Sequence, residues 1–331
     1  MQEHHVTVLG DGAFGTACAI LLAHNGYDVT LWCYNSYVAH SINTHHENRK
    51  YLPGITLSEK ITATDCLERA LAHNVIFEAI PMMFLTNILH QAADFFNDDQ
   101  CWVSLTKGIT VNQADTIFLP TDIIETITKN KKTVVVSGPS YAHELTTQQP
   151  TGFVVASNDQ TAAHIIADMI CNDHITAHIS ADTNGVQMIA ALKNVCAIGI
   201  GILDGIGYGS NTQALFIMQA LEEIKFIFSA YKIPEKMAQE TIYGLAGIGD
   251  LMLTCFGKKS RNYTFGCAIG RGEPYDAIVA KMGIAPEGVS TLKTIEPLSK
   301  KYDVKIPLFL TLRAVVFEKS DVKNLIAQFC K

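Results

Sequence analysis

The chain has no C-x-x-C pair and no H-E-x-x-H spacing, although it carries nine cysteines (18, 33, 66, 101, 171, 196, 255, 267 and 330) and twelve histidines. An odd cysteine count without paired spacing fits reduced thiols in a cytoplasm, and no metal site is expected. No basic run or aromatic-basic interleaving offsets the net charge of −7, which excludes a general nucleic-acid binder. An anionic substrate therefore needs a local cationic pocket. The opening residues MQEHHVTVLG run into a strand pattern without a signal-peptide core. Low-complexity segments and internal repeats are also missing.

Long stretches without charge are equally scarce, with one exception. Residues 185–203 (GVQMIAALKNVCAIGIGIL) form an apolar, helix-patterned run whose only charge is Lys193, next to Asn194. A bilayer needs roughly 20 apolar residues, but Gln187, Lys193 and Asn194 would then sit in hydrocarbon, and no membrane span is expected. An ammonium group in such a run either snorkels to water or has a charged partner or a chemical use.

The 331 residues, 48% of them hydrophobic, exceed the usual single-core size and suggest two domains. Residues 6–9 read as a buried parallel strand. Gly10-Asp11-Gly12-Ala13-Phe14-Gly15 follows, then a helix to about residue 24, a turn at Asn25-Gly26 and a second strand at 28–32. G-x-G-x-x-G in a strand-helix-strand frame points to a dinucleotide. Gly10 permits the tight turn, Gly12 lets the backbone approach the pyrophosphate, and Gly15 allows close helix-to-strand packing. After the second strand stand Cys33, Tyr34 and Asn35, neither the acid of an NAD site nor the cation of an NADP site; Arg49 and Lys50 follow in the next loop. NAD or NADP is expected, with the choice open.

Further strand patterns at 75–81, 102–108, 133–139 and 152–156 end in Pro, Gly or polar turns. Ligands of open α/β sheets bind beyond strand C-termini, which places Lys107 and Gly138-Pro139-Ser140 near one. From about residue 182 helical periodicity takes over, at 185–203, 211–231, 235–246, 275–282, 288–301 and 307–318. The fold class expected is α/β: a Rossmann-type, mostly parallel sheet domain (1–181) that binds dinucleotide, followed by an all-helical substrate-binding and catalytic domain (182–331). Asp250 and Thr254, four residues apart, share a face if helical; alternatively Asp250 only caps a helix starting at Leu251. Lys258-Lys259-Ser260-Arg261-Asn262 is either a solvated basic loop or a phosphate clamp.

In combination these pieces resemble bacterial NAD(P)-dependent glycerol-3-phosphate dehydrogenases over nearly the whole chain. The matching segments are GDGAFGTA (10–17), YLPGI (51–55), SLTKGI (104–109), SGPSYAHE (137–144), ALKNV (191–195), GSNTQA (209–214), GLAGIGDLMLTC (244–255), SRN (260–262) and EGV (287–289). The resemblance implies reversible reduction of dihydroxyacetone phosphate to sn-glycerol 3-phosphate, feeding glycerophospholipid synthesis, in a cytoplasmic homodimer. It implies Lys193, Lys107 and Asp250 as catalytic residues. Substrate contacts would come from Lys107, Gly138, Ser140, Lys193, Asn194, Asp250, Thr254, Ser260, Arg261 and Asn262. Cofactor contacts would come from Gly10, Gly12, Ala13, Phe14, Gly15, Tyr34, Lys107, Ala142, Arg261 and Glu287.

Some positions depart from the family pattern. Phe14 replaces a common Trp, Tyr34 stands where a cation is frequent, Gln187 replaces a Glu, and Met218-Gln219-Ala220 replaces Thr-Arg-Gly. Glu78 is a carboxylate in an apolar strand pattern. A non-catalytic dinucleotide-binding regulator, or another two-domain hydroxyacid or ketopantoate-type reductase, stays open at this point.

Overall fold

The computed structural model describes residues 4–112, 114–257 and 260–329. In chain order the elements are β1 (His5–Leu9), α1 (Ala13–His24), β2 (Asp28–Trp32), α2 (Ser36–His45), β3 (Ile61–Thr64), α3 (Leu67–Ala70), β4 (Val75–Glu78), α4 (Met82–Gln91), β5 (Cys101–Ser104), β6 (Thr110–Val111), β7 (Ile117–Phe118), α5 (Pro120–Thr128), β8 (Thr133–Ser137), α6 (Ala142–Thr146), β9 (Thr151–Ala156), α7 (Gln160–Ile170) and β10 (Ile175–Ser180). The helical part then runs α8 (Thr183–Gly205), α9 (Ser210–Ala230), α10 (Glu235–Tyr243), α11 (Asp250–Phe256), α12 (Arg261–Gly270), α13 (Tyr275–Met282), α14 (Glu287–Tyr302), α15 (Pro307–Phe317) and α16 (Lys323–Ile326). The chain divides into two compact units, 1–106 with 120–183, and 107–119 with 184–331. A single cut at 181/182 misses this excursion of the β6–β7 hairpin into the second unit.

In the first unit, the described strands form an eight-stranded sheet in the order β10-β9-β8-β5-β4-β1-β2-β3. Every pairing is parallel except β8 with β9. Val6, Val8, Val29, Leu31, Phe77, Val103, Val134 and Val155 are buried in one apolar core with Ala17, Leu21 and Leu22 of α1, as strands covered on both faces demand. Strand order reverses between β1 and β4, the place where such sheets bind ligands beyond their strand ends. β3 and β10 went unrecognised in the sequence. β3, at Ile61–Thr64, is a four-residue polar-apolar alternation, and β10 at Ile175–Ser180 has intermediate and exposed positions, so neither offers the continuous apolar run of a central strand.

In the second unit the hairpin β6–β7 packs on α14. α8 is apolar enough, with a mean hydropathy of 1.8, to pass for a membrane span, but its apolar window is wholly buried inside the protein. It packs against α12 through glycines. A Cβ on Gly201 would stand 2.2 Å from the Tyr263 carbonyl oxygen, and on Gly205 2.4 Å from that of Cys267. Reciprocally, a Cβ on Gly266 would stand 2.1 Å from the Ile198 oxygen, and on Gly270 2.4 Å from that of Ile202. Two backbones thus touch along four-residue glycine spacings, which fixes where α12 carries Arg261 and Asn262 relative to Lys193 of α8. Gly266→Val, which cannot be accommodated without separating the helices, is expected to cost about 3 kcal/mol or more in urea unfolding.

Candidate active site

The first unit supplies a glycine loop between β1 and α1. Gly10 has φ +123°, and a Cβ there would lie 2.7 Å from the Ala79 oxygen at the end of β4; a Cβ on Gly15 would lie 2.0 Å from the Gly10 oxygen. Both positions therefore require glycine. A Cβ on Gly12 would meet nothing within 4 Å, and no side chain caps the N-terminus of α1. Uncapped N–H groups beside open space fit the pyrophosphate of a dinucleotide. Asn48 latches this loop from behind. It is fully buried, its Nδ2 donates to the Asp11 carbonyl at 2.8 Å and to Thr16 Oγ1 at 2.7 Å, and its Oδ1 accepts from the Tyr51 N–H at 3.1 Å. Sequence reasoning missed Asn48; its proximity to YLPGI was the available signal.

The other expected cofactor and substrate positions of this unit have varied surroundings. Ala13 and Phe14 open α1, while Tyr34, past β2, is 75% exposed. Gly138 follows β8 with φ +150°, and a Cβ there would lie 2.5 Å from the Gly152 oxygen. Ser140 Oγ donates to the Gly138 carbonyl at 3.0 Å, and Ala142 begins α6. Glu78, the odd carboxylate, is fully buried at the end of β4. It accepts from the Ile80 N–H (2.6 Å), Ser104 Oγ (3.0 Å) and Thr106 Oγ1 (2.8 Å). Its burial is thus offset by hydrogen bonds that tie the ends of β4 and β5 together.

The second unit holds a cluster of charge. Lys193, in the middle of α8, is 4% exposed. Its Nζ donates to Asp250 Oδ1 at 2.9 Å and to Thr254 Oγ1 at 2.7 Å. Lys107 Nζ, just before β6, donates to the other oxygen of Asp250 at 2.7 Å. Thr254 Oγ1 donates in turn to the Asp250 carbonyl at 2.7 Å, so its single proton is spent and its lone pair faces Lys193. Among the described residues, two of the three donors on Lys193 are engaged, and one remains for a ligand. Asp250 does not cap a helix. Gly249 precedes α11 with helical φ and ψ, because a π-helical turn at Leu245–Gly249 feeds straight into it. Gly247 permits that turn, since a Cβ there would lie 2.1 Å from the Ile242 oxygen. The carboxylate is freed from capping to face the two lysines.

Burial pulls the Lys193 ammonium down to about 8, and Lys107 acts in the same direction while Asp250 opposes both. The spacing in the sequence left this contest open; desolvation wins it. For Asp250, burial alone would raise the pKa, but Lys107 and Lys193 outweigh burial and hold it below the ordinary carboxylate range.

Beside this cluster, Asn262 Oδ1 accepts from the Gly288 N–H at 2.9 Å. A Cβ on Gly288 would stand 2.6 Å from both that oxygen and the Asn194 carbonyl. The structure thereby gathers Asn194, Asn262 and the Glu287-Gly288 start of α14. Ser260 caps α12 by accepting from the Tyr263 N–H at 3.3 Å, and Arg261 donates to the Ile284 carbonyl. Lys258 and Lys259, the rest of the expected clamp, lie outside the described residues, as does Cys330.

A family model for the N-terminus of NAD-dependent glycerol-3-phosphate dehydrogenase matches residues 5–163, and one for its C-terminus matches residues 182–327. The chain belongs to the NAD-dependent glycerol-3-phosphate dehydrogenase family. It is 38% identical to glycerol-3-phosphate dehydrogenase [NAD(P)+] of Bacillus licheniformis, over 97% of this chain and 92% of that protein. It is 34% identical to the protein of that name from Alcanivorax borkumensis, over 98% and 93%. A solved glycerol-3-phosphate dehydrogenase from Coxiella burnetii is 28% identical and superposes with a TM-score of 0.89, covering 98% of each chain. The fold alone extends further, to D-mandelate dehydrogenase at TM-score 0.66 and 16% identity. Membership of the dehydrogenase family, with NAD or NADP as cofactor, is thus favoured over the open ketopantoate-type and regulator readings.

Asp250→Asn, which removes the carboxylate paired with the buried Lys193 ammonium, is expected to cost about 3–5 kcal/mol in chemical denaturation. It should also push the Lys193 amine further below its present value.

Proposed function

We propose that this chain catalyses the reversible NAD(P)H-dependent reduction of dihydroxyacetone phosphate to sn-glycerol 3-phosphate. The observation that carries the reading is the Lys193–Asp250–Lys107 cluster, with Lys193 and Asp250 buried, in a member of this family. A bound dihydronicotinamide supplies the hydride; the remaining work falls to residues of the chain. Gly10, Gly12, Gly15 and the first turn of α1, with Ala13 and Phe14, hold the pyrophosphate. Tyr34 borders the adenosine ribose, and Ala142 and Glu287 complete the cofactor contacts.

Lys193 donates a proton to the C2 oxygen as hydride reaches the carbon. The carbon–oxygen double bond becomes a carbinol, the amine is left neutral, and a proton from water restores it. Asp250 and Thr254 fix the direction of the Lys193 amine, while Lys107 adds a second positive charge near the developing alkoxide. Gly138, Ser140 and Asn194 position the glycerol backbone. Ser260, Arg261 and Asn262 take the phosphate, for which the planar guanidinium fork of Arg261 is suited to bidentate contact. The same reading has the chain supplying glycerol 3-phosphate to glycerophospholipid synthesis in the cytoplasm, as a homodimer.

The direct test is purified protein with dihydroxyacetone phosphate, which is expected to oxidise NADH or NADPH; no turnover with either would refute the reading. Lys193→Met is expected to lower kcat roughly 10² to 10⁴-fold, whereas a non-catalytic regulator would keep its function. Arg261→Ala should chiefly raise KM for the phosphorylated ketone. Because Lys193 must be an ammonium for reduction and a free amine for oxidation, ketone reduction should fall as pH rises through about 8, and alcohol oxidation should rise across the same range. Rate profiles in the two directions check this.

A further inference from the structure

Asp11, between Gly10 and Gly12, has no part in the chemistry above. It is 7% exposed, and its Oδ2 is buried without a hydrogen-bond partner among the described residues. The carboxyl group meets its own backbone N–H and those of Asn35 and Tyr34 at the end of β2. Burial raises its pKa, and these N–H groups together with Lys50 oppose that. The position is fixed from two sides. Asn48 grips the Asp11 carbonyl at 2.8 Å, and the Asn35 side chain accepts from the Tyr37 N–H at 2.9 Å to start α2.

In a βαβ dinucleotide site the turn after the second strand faces the adenosine ribose, where an acid accepts from the 2′-hydroxyl or a cation and N–H donors receive a 2′-phosphate. Here the turn lacks an acid of its own, yet the neighbouring loop delivers one to the same backbone N–H groups. The cations able to receive a 2′-phosphate are weak candidates. Arg49 pairs with Glu47 at 3.1 Å, and the Lys50 ammonium lies 4.8 Å from the centre of the Tyr51 ring. Lys50 is also open to solvent, where screening makes a single charge worth little. A carboxylate in a low-dielectric setting keeps its field.

Building on the dehydrogenase reading, we propose that Asp11 is the specificity determinant of the cofactor site: its carboxylate stands in for the acid missing after β2, favours a free ribose 2′-hydroxyl and repels a 2′-phosphate, so that the chain selects NADH over NADPH. Calorimetric titration of the full chain with NADH and with NADPH, at one fixed salt concentration, tests this without turnover. The wild type is expected to bind NADPH at least roughly tenfold more weakly, the scale set by one unscreened like charge. Asp11→Asn and Asp11→Ala should narrow the ratio by tightening NADPH, while Asp11→Glu should keep it, with a thermal melt of each variant confirming the fold. Equal affinities in the wild type, or an unchanged ratio in folded Asp11→Asn or Asp11→Ala, would overturn the selectivity while leaving the dehydrogenase reading intact. Binding of neither dinucleotide would overturn both. Equal wild-type affinities would overturn the proposal even if a variant fails to fold.

Discussion

One carboxylate shared by two ammonium groups is the constraint on which the second unit is organised. Asp250 touches Lys193 and Lys107 through separate oxygens, and Asp250 and Lys193 are buried where either charge alone would be costly. The members of this cluster are brought together from three places: the centre of α8, a position three residues before β6, and the start of α11. The π-helical turn ahead of α11 lets Asp250 face the two lysines, and the glycine seam between α8 and α12 sets Arg261 and Asn262 relative to Lys193.

The same cluster explains how a lysine becomes suited to proton exchange. Desolvation by the apolar surroundings of α8 and the proximity of Lys107 disfavour the ammonium, and Asp250 restrains the shift so that the group still carries a proton near neutrality. Thr254 adds direction without charge. The first unit works by a contrasting principle, with an open helix N-terminus, obligate glycines and a buried asparagine that holds the loop. It offers fixed backbone donors, while the second unit carries tuned side-chain charge.

Much of this could be read from the sequence because the signals are local. The glycines at 10, 12 and 15 lie within six residues of a strand end, and the strands of the central sheet are short apolar runs. Lys193 was conspicuous as the only charge in residues 185–203, and the Asp250–Thr254 spacing pointed to a shared face. Features set by distant partners were not legible. Residues 107–119 follow a strand of the first unit, and contacts with distant residues, those of β6 and β7 with α14 and that of Lys107 with Asp250, place them in the second. Residues 258–262 read as a basic loop or a phosphate clamp, not as a helix start, and the glycines of Arg261–Gly270 acquire meaning as helix-packing residues only against α8. Glu78 looked out of place as a lone carboxylate in a strand; its hydroxyl and N–H partners come largely from the end of β5, 26 and 28 residues away.

The most direct test of the central claim is to follow the Lys193 amine itself by NMR of isotope-labelled lysine, assigned against Lys193→Met, across a pH titration of the unliganded protein. The account predicts a midpoint near 8. A midpoint at the value of an ordinary solvated lysine, about 10.4, would mean that burial does not outweigh Asp250, and would contradict the proposed proton donor.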